Sequence, residues 1–228
     1  MSLNLDLRLA EILSAKLCHD LAAPAGAVHN GLELLAEAPK TEALDELAHQ
    51  ALALAEESAE RLIRRLRLLR LAYGPTSDES KAPQNNLFAV SRTAAIEWLT
   101  TTRIKILWPV EILPKAASHT PGLSKLLLLL ILVAEEALPS GGEIMVSGDG
   151  DAENGTVRVE VYGPNLKVSH ETLLTLTNGS SLTSLTPRLV SAFLASRIAE
   201  YYCFTLETLL SNNARLHISF SWRSAAPS

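Results

Sequence analysis

The first 73 residues constrain the fold most, because residues 5–73 contain very few residues that break helices. They are rich in Ala, Leu, Glu and Arg, which favour helix, and a run of Ala-Pro-Lys-Thr at residues 38–41 divides them in two. Apolar or small side chains recur in both halves at alternating spacings of three and four residues, which is typical of antiparallel helix packing. The pattern predicts two long helices in a hairpin, with Thr41 as the N-cap of the second helix.

The apolar stripes of this hairpin are wider than one partner helix can cover. They comprise Leu13, Leu17, Leu21, Ala25, Val28, Leu32 and Leu35 in the first helix and Leu44, Ala48, Ala51, Ala55, Ser58, Leu62, Leu66, Leu69 and Tyr73 in the second. Two such hairpins can bury their stripes together as a four-helix bundle. We therefore expect a homodimer, with residues 1–74 as the dimerisation domain.

A second domain follows a polar segment at residues 75–86, which contains two prolines and is predicted to be a linker. Beyond it, residues 87–228 alternate between the periodicities of helix and strand. Helices are predicted at residues 87–99, 121–138 and 187–202, and strands at 103–110, 143–147, 156–162, 204–209 and 215–222. This order predicts an α+β two-layer sandwich.

Composition excludes several classes of protein. The 228 residues are 47% hydrophobic, whereas disordered chains have low hydrophobicity. The net charge of −5 argues against a nucleic-acid-binding protein, which needs a basic surface. The longest apolar run, residues 126–134, is far shorter than the ~20 residues that cross a membrane. With no secretory signal in MSLNLDLRLA and no metal spacing around Cys18 or Cys203, we expect a cytoplasmic protein without a metal site.

His19 and Asp20 are the residues of the first helix that best fit a chemical role. His19 lies about 200° around the helix from Leu17, so its imidazole should point away from the core. A neutral imidazole is a nucleophile near pH 7, and an adjacent carboxylate can orient the ring or accept a proton. Pro24, one turn beyond, should loosen the helix. The alternative interpretation is a solvated surface histidine with no role.

The surface of the first helix next to His19 is predicted to be a docking surface for another protein. Small or polar residues occupy the wheel positions within about 60° of His19, so bulky side chains are missing there. They are Ala22, Ala23, Gly26, Asn30 and Glu33.

Three arginines of the second helix, Arg61, Arg64 and Arg65, are predicted to contact a phosphate or an acidic partner. If the hairpin turns near residue 39 or 40, His19 should lie level with Glu60 and Arg61. The alternative is a solvated basic helix end that interacts with its own helix dipole.

The segment CHDLAAPAGAVHNGLELL, residues 18–35, resembles the corresponding segment of ChpT-type histidine phosphotransferases, and His19-Asp20-x-x-x-Pro24 resembles the H-box of histidine kinases. The resemblance covers nearly the whole chain. It implies a dimeric hairpin that carries a phosphorylated histidine, and a C-terminal domain that resembles the histidine kinase ATPase (Bergerat) fold without binding ATP. It also implies a hybrid histidine kinase as donor, and response regulators similar to CtrA and CpdR as acceptors.

Three motifs that hold nucleotide in histidine kinases are altered here. Val133 and Leu129 stand where the kinase N-box has asparagines, so the oxygen ligands of magnesium are missing. Val161 replaces the aspartate that would bind adenine, and Asn165 replaces a glycine of the same motif. Residues 182–189, in place of a glycine-rich lid, contain no glycine. We therefore expect no ATP binding.

The resulting hypothesis is a phosphorelay protein that accepts a phosphoryl group on His19 from the aspartate of a receiver domain and passes it to another receiver. It needs no cofactor of its own, since the partner receiver would supply Mg²⁺. One alternative is a non-catalytic dimeric scaffold that binds response regulators. The other is an ATP-dependent histidine kinase, which would need the residues replaced above.

Overall fold

The chain begins with a helical hairpin, and this part of the prediction is confirmed. The structure is a computed structural model that describes residues 7–37, 45–74, 84–109, 120–151, 153–179, 184–211 and 215–223. Helices α1 (Leu7–Glu37) and α2 (Asp45–Tyr73) pack against each other along their length. Helix α1 continues through Pro24. Thr41, the predicted N-cap, lies outside the described residues.

Small residues set the separation of α1 and α2 in the half of the hairpin nearest the turn. A Cβ atom on Gly31 would lie 2.9 Å from Ala55 Cβ and 3.0 Å from the Ala51 carbonyl oxygen. Ala51 and Ala55 are buried, as the sequence pattern predicted. Since even a methyl group at residue 31 would crowd the facing helix, the two backbones approach each other closely there.

The rest of the chain forms what we call the α/β region, from helix α3 to strand β5. Its elements are α3 (Gln84–Leu99), β1 (Ile104–Leu107), α4 (Leu123–Glu136), β2 (Gly142–Gly150), β3 (Asn154–Tyr162), α5 (His170–Asn178), α6 (Val190–Tyr201), β4 (Thr205–Ser211) and β5 (Arg215–Arg223). A 3₁₀ turn, Pro187–Leu189, leads into α6. The predicted elements are all present, with ends that differ by a few residues.

Helix α5 was not predicted from the sequence. Its N-cap is Ser169, whose hydroxyl oxygen accepts a hydrogen bond from the Thr172 backbone N–H, and Gly179 follows its last residue with φ at 69°. A serine before a helix and a glycine after it are ordinary start and stop signals. The signals were therefore in the sequence, but the helix is only nine residues long and two of its residues are buried.

The five strands form one mixed sheet in the order β1-β2-β3-β5-β4. Strand β1 is parallel to β2 and the other neighbours are antiparallel. The register places Val159 opposite Val146 on one side and Ile218 on the other, and all three side chains are buried. Helices α4, α5 and α6 contact strands of this sheet. The arrangement matches the predicted layer of helices on a sheet.

Helix α4 is the centre of the hydrophobic core. Residues 126–134 are all buried, and α4 contacts α2 and α3 as well as α6 and β3. The end of α2 joins the same core through Leu68, Leu69 and Ala72. The hairpin is thus packed against the α/β region at the end remote from its turn. None of the described helices has the length and apolar character needed to cross a membrane.

Candidate functional site

His19 and Asp20 are neighbours on α1 but have opposite environments. The His19 side chain is 85% exposed, whereas the Asp20 side chain is 6% exposed. Successive residues on an α-helix are separated by about 100°, so one helix face can be solvated while the next is covered. The structure therefore confirms that the imidazole points away from the core, and it shows that the adjacent carboxylate points into it.

Two cations hold the Asp20 carboxylate. Arg65 Nη2 lies 2.8 Å from Asp20 Oδ2, and Lys16 Nζ lies 3.1 Å from Oδ1. Burial alone would raise the pKa of the Asp20 carboxyl, but Arg65 and Lys16 together hold that pKa below its ordinary value. Asp20 is therefore ionised at neutral pH and fixed in one orientation.

The same carboxylate reaches the imidazole. Asp20 Oδ1 is 3.4 Å from His19 Nδ1, so a proton on Nδ1 points to an oxygen that is already negative. A hydrogen bond at one imidazole nitrogen determines which tautomer is present and leaves the other nitrogen with its lone pair. In that tautomer Nε2 carries the free lone pair, as a nucleophile requires.

Paired charges continue from Asp20 into the α/β region, where the Glu135 and Glu136 side chains are 16% and 31% exposed. Arg65 Nη1 lies 2.7 Å from Glu135 Oε2, and Lys16 Nζ lies 2.6 Å from Glu136 Oε1. We call Lys16, Asp20, Arg65, Glu135 and Glu136 the ion-pair network. It joins α1 and α2 of the hairpin to the C-terminal end of α4.

The pKa values of the network reflect the competition between burial and pairing. Burial lowers the pKa of Lys16, but Glu136 and Asp20 raise it by more, so the ammonium stays charged. Glu136 behaves differently, because burial raises its pKa above the ordinary value despite the opposing effect of Lys16. Sequence reasoning missed Lys16, Glu135 and Glu136. Only the spacing of four residues between Lys16 and Asp20 signalled a helical ion pair.

The predicted docking surface is solvent-exposed. We call Ala22, Ala23, Gly26, Asn30 and Glu33 the docking strip, and the structure places all five on the exposed part of α1. A Cβ atom on Gly26 would meet nothing within 4 Å. Glu33 Oε1 lies 3.2 Å from His29 Nε2, so its carboxylate is partly paired within the helix. The docking strip begins one turn beyond His19, and its first three residues are alanine or glycine, so bulky side chains are missing there, as the sequence indicated.

The three arginines have separate positions. Arg65 is buried with both of its terminal nitrogens bonded to carboxylates, so it is not presented to a ligand at the surface. Arg64 donates to the Glu97 carbonyl oxygen and pairs with Glu60. Arg61 is exposed, with its guanidinium 5.7 Å from the centre of the Trp98 ring.

The expected level of His19 in the hairpin was wrong by about five residues. Because Asp20 pairs with Arg65, His19 lies level with this part of α2 and not with Glu60 and Arg61. Helix α1 ends at residue 37 and α2 begins at residue 45, and the midpoint between these two ends is residue 41. Each residue of α1 consequently faces a later residue of α2 than the sequence argument assumed.

The α/β region covers α1 on the N-terminal side of His19. Ile12 packs in a buried cluster with Leu185, Leu189 and Phe193, which come from the segment before α6 and from α6 itself. The Tyr73 and Ser191 hydroxyl oxygens lie 2.9 Å apart and join the end of α2 to α6. His19 therefore stands at the boundary between a covered part of α1 and the exposed docking strip.

Comparison with known proteins identifies the family. Residues 91–213 match the family model described as the histidine phosphotransferase C-terminal domain. The chain belongs to the histidine phosphotransferase family. It is 29% identical over 164 residues to protein phosphotransferase ChpT of Brucella abortus (strain 2308), a similarity that covers 71% of each chain. It is also similar to a solved bacterial phosphotransferase, with a TM-score of 0.72, 26% identity and coverage of 96% of this chain and 98% of the other.

The family match covers the α/β region and does not include His19. The likeness to the solved bacterial phosphotransferase extends over both the hairpin and the α/β region. These findings support the resemblance stated from residues 18–35. The roles of the individual site residues of this phosphotransferase rest on their geometry.

The residues that the motif resemblance aligns with nucleotide-binding positions of histidine kinases are apolar and buried in this phosphotransferase. Leu129, Val133 and Val161 are exposed by 0%, 3% and 0% and belong to the main hydrophobic core. Leu185 and Leu189, within the segment that replaces a glycine-rich lid, pack against α1. Across the described ranges, no group of three or more His, Cys, Asp or Glu side chains is arranged to hold a metal ion.

Proposed function

We propose that this phosphotransferase carries a phosphoryl group on His19 between two receiver domains. In the first step the P–O bond of an aspartyl phosphate, on the receiver of a hybrid histidine kinase, breaks as a P–N bond forms at His19 Nε2. In the second step the receiver aspartate of a response regulator takes the group from Nε2. The observation that carries the proposal is an imidazole 85% exposed beside a carboxylate that two buried cations hold in place.

Asp20 orients the nucleophile in this scheme. Its carboxylate accepts the hydrogen bond from Nδ1–H and stabilises the positive charge that the ring acquires when Nε2 is phosphorylated. Because the pKa of the carboxyl is lowered, Asp20 keeps this role at neutral pH. Positioning and electrostatic stabilisation are the main contributions that proteins make to phosphoryl transfer. The partner receiver supplies Mg²⁺, so the phosphotransferase needs no metal of its own.

The functional test is a transfer profile against purified phosphorylated receiver domains from the source organism. We expect a small set of receivers to lose phosphate to the wild-type protein and none to lose it to His19→Gln. The same experiment distinguishes a non-catalytic scaffold, which would bind receivers and form no phosphohistidine. Normal transfer by His19→Gln would overturn the proposal.

The docking strip is the proposed binding surface for both receivers. Gly26→Arg adds a long side chain where a Cβ atom has open space, so the helix should tolerate it while an approaching receiver should not. We expect transfer to fall at least tenfold with His19 still present. Asn178→Arg adds the same charge at an exposed position of α5 and serves as the matched control. Equal transfer by both variants would show that the receiver approaches another face.

We propose that the hairpin forms a four-helix bundle with a second copy of the chain. Leu32 on α1 is 52% exposed, and on α2 Leu52, Ile63 and Leu66 are 44%, 65% and 45% exposed. The three α2 residues lie within about 60° of one another at 100° per residue. Leu32 lies about 140° from His19 around α1, so this apolar face and the docking strip occupy different sides of the helix.

The dimer is tested by sedimentation of Ile63→Glu and Leu66→Glu. We expect the wild type to sediment as a dimer and both variants to shift toward monomer, because a charge would be buried in the bundle. Leu209→Glu, at a residue of β4 that is 65% exposed, is the control and should leave the dimer intact. A monomeric wild-type protein would remove this part of the proposal.

We also propose that the phosphotransferase does not bind ATP. The core side chains of Leu129, Val133 and Val161 support this, since none supplies an oxygen for magnesium or an acceptor for the adenine amine. Isothermal titration with ATP and Mg²⁺ should give no binding heat. Saturable binding would favour an ATP-dependent histidine kinase instead.

A further inference from the structure

Arg65 occupies an unusual position for a charged side chain. It is 7% exposed, and its guanidinium lies 4.7 Å from the centre of the Trp98 ring. One terminal nitrogen donates to Asp20 and the other to Glu135. The second oxygen of Glu135 accepts a hydrogen bond from Trp98 Nε1 at 2.8 Å. One side chain of α2 thus connects the helix that carries His19 to α3 and α4.

Stability alone does not account for this arrangement. Moving two charges out of water has a large desolvation cost, and well-packed apolar residues of similar volume often replace a buried ion pair without loss of stability. What an apolar residue cannot do is hold a carboxylate in a fixed orientation. Arginine does this well, because its planar fork bonds two groups in a defined geometry.

Arg65 determines which oxygen of the Asp20 carboxylate lies beside His19. Arg65 takes Oδ2, so Oδ1 is the oxygen left beside the imidazole, where Lys16 also contacts it. If Arg65 released Oδ2, Lys16 alone would hold the carboxylate, through Oδ1, so the group could turn about that single contact and the Nδ1 hydrogen bond would lose its fixed acceptor. Glu135 in turn holds Arg65 from the other side.

We propose that Arg65 is a positioning residue for phosphotransfer: clamped by Glu135 of α4, it holds Asp20 so that Nδ1 of His19 is hydrogen-bonded and Nε2 receives the phosphoryl group. The proposal rests on the proposed function of His19. It adds that the α/β region determines, through Glu135 and Arg65, which nitrogen of the phosphoacceptor reacts. Arg65 touches neither the imidazole nor the phosphoryl group.

The charges of Arg65 and Glu135 give a second expectation, which concerns the pH dependence of the transfer rate. The charged and titratable groups of the network around Asp20, which contacts His19, are Lys16 from α1, Arg65 and Tyr73 from α2, and Glu135 and Glu136 from α4. Removing the positive charge of Arg65 makes the surroundings of the imidazole more negative and favours its protonated form. Removing the negative charge of Glu135 makes those surroundings less negative and disfavours the protonated imidazole. The acid limb of the rate–pH profile should therefore move to higher pH in Arg65→Met and to lower pH in Glu135→Gln.

The test uses phosphoramidate, a small phosphodonor that bypasses receiver docking. In its zwitterionic form the nitrogen of phosphoramidate is already protonated, so ammonia leaves as the phosphoryl group moves to the imidazole. The product nitrogen is assigned from ¹H–¹⁵N and ³¹P spectra, with His19→Gln to identify the signals. The same ¹H–¹⁵N spectra of unphosphorylated protein report the His19 tautomer.

We expect the wild type to have the Nδ1–H tautomer and to give Nε2-phosphohistidine alone. Arg65→Met should give both tautomers and both products. Its acid limb should move to higher pH by about one unit, which is a tenfold loss of rate at pH values below the limb. Arg67→Met is the matched control, because Arg67 lies on the same helix in a 2.8 Å pair with Glu97 that is 41% and 39% exposed. It should behave as wild type.

Two further variants keep the test decisive if Arg65→Met does not fold. Arg65→Lys retains the charge without the fork, so the acid limb should stay in place while the Nδ1 product appears. Glu135→Gln should move the limb downward, opposite to Arg65→Met, so damage to the fold common to both variants would not account for the two shifts. A folded Arg65 variant with the wild-type tautomer, product and acid limb would overturn the proposal.

Failure of the proposed function is distinguishable from failure of this inference. The tautomer is measured without any phosphodonor. If Arg65 determines the tautomer but no receiver transfers phosphate to His19, the clamp is correct and the relay function is wrong. If receivers phosphorylate His19 but the Arg65 variants keep the wild-type tautomer, the relay function is correct and the clamp is wrong.

Discussion

The leucines of α4 and those of the hairpin have very different environments. From Leu126 to Leu132, every side chain of α4 is at most 2% exposed. On the hairpin, Leu32, Leu52 and Leu66 are between 44% and 52% exposed. The chain has 43 leucines among 228 residues, and this excess is therefore divided between an enclosed core and an open surface.

The difference shows what each region is built to contact. Full burial of a leucine side chain contributes about 1.5–3 kcal/mol, so the leucines of α4 anchor the α/β region. The hairpin leaves comparable side chains in water, which favours a further protein surface against them. Where the two regions meet, the contact is partly ionic, through Arg65 and Glu135.

Leu129→Asn, in the enclosed core, should give the largest loss of stability. The asparagine would restore the residue type of a kinase motif but place an amide in a site that is 0% exposed, so we expect a loss of about 4 kcal/mol in the free energy of unfolding. Urea denaturation measures it. ATP binding should not return, because Val133 and Val161 remain. Leu52→Asn, on the exposed face, should cost the monomer less than about 1 kcal/mol, and equal losses for both variants would contradict the comparison.

Asp20→Asn tests the ionic contact between the two regions. It leaves Arg65 and Lys16 with one carboxylate fewer, and removing one partner of a buried pair typically costs about 3 kcal/mol. Since folding lowers the pKa of Asp20, the stability that Asp20 contributes is present above the ordinary pKa of 3.8 and is lost as the pH falls below it.

The free-energy difference between wild type and Asp20→Asn should therefore shrink between pH 6 and pH 3 in urea titrations. Glu136 has the opposite pH dependence, because folding raises its pKa. The stability that it contributes falls as the pH rises above 4.5. Glu136→Gln should remove that fall. A pH-independent difference for Asp20→Asn would show that its charge is not what stabilises the contact.

Gly31→Ala and Gly26→Ala should give smaller effects of opposite sign. The added methyl group at residue 31 would lie 2.9 Å from Ala55 Cβ and force the helices apart, at a cost of about 1–2 kcal/mol. At residue 26 it meets nothing within 4 Å, so the better helix propensity of alanine should stabilise by up to about 1 kcal/mol. Thermal unfolding measures both, and stabilisation by Gly31→Ala would show that the helices are not in close contact there.

Sequence patterns predicted the long elements well because their signals are local. The 3–4 spacing of α1 and α2, the continuous apolar run of α4 and the alternation of β3 each depend on the burial of one helix face or one strand face. Helix α5 was missed because few of its residues are buried, although Ser169 and Gly179 marked its ends. Leu66 belongs to the predicted apolar stripe and is 45% exposed in the single chain, as expected of a stripe wider than one partner helix can cover.

The candidate site was predictable only in part. The exposure of His19 followed from its position on the helix wheel relative to Leu17. The partners of Asp20 did not, because Arg65 and Glu135 are distant in sequence and their contacts depend on the length of the connection between α1 and α2. An error of about five residues in that register places the wrong arginine beside the site.

The proposed relay function of this phosphotransferase depends on His19 as the phosphoacceptor, which intact-mass analysis after incubation with a phosphorylated receiver tests most directly. His29→Gln is the matched control, since His29 is also exposed on α1 and its side chain is 70% accessible. We expect one acid-labile phosphoryl group on the wild type and on His29→Gln, and none on His19→Gln. A phosphoryl group retained by His19→Gln, or lost from His29→Gln alone, would contradict this role of His19.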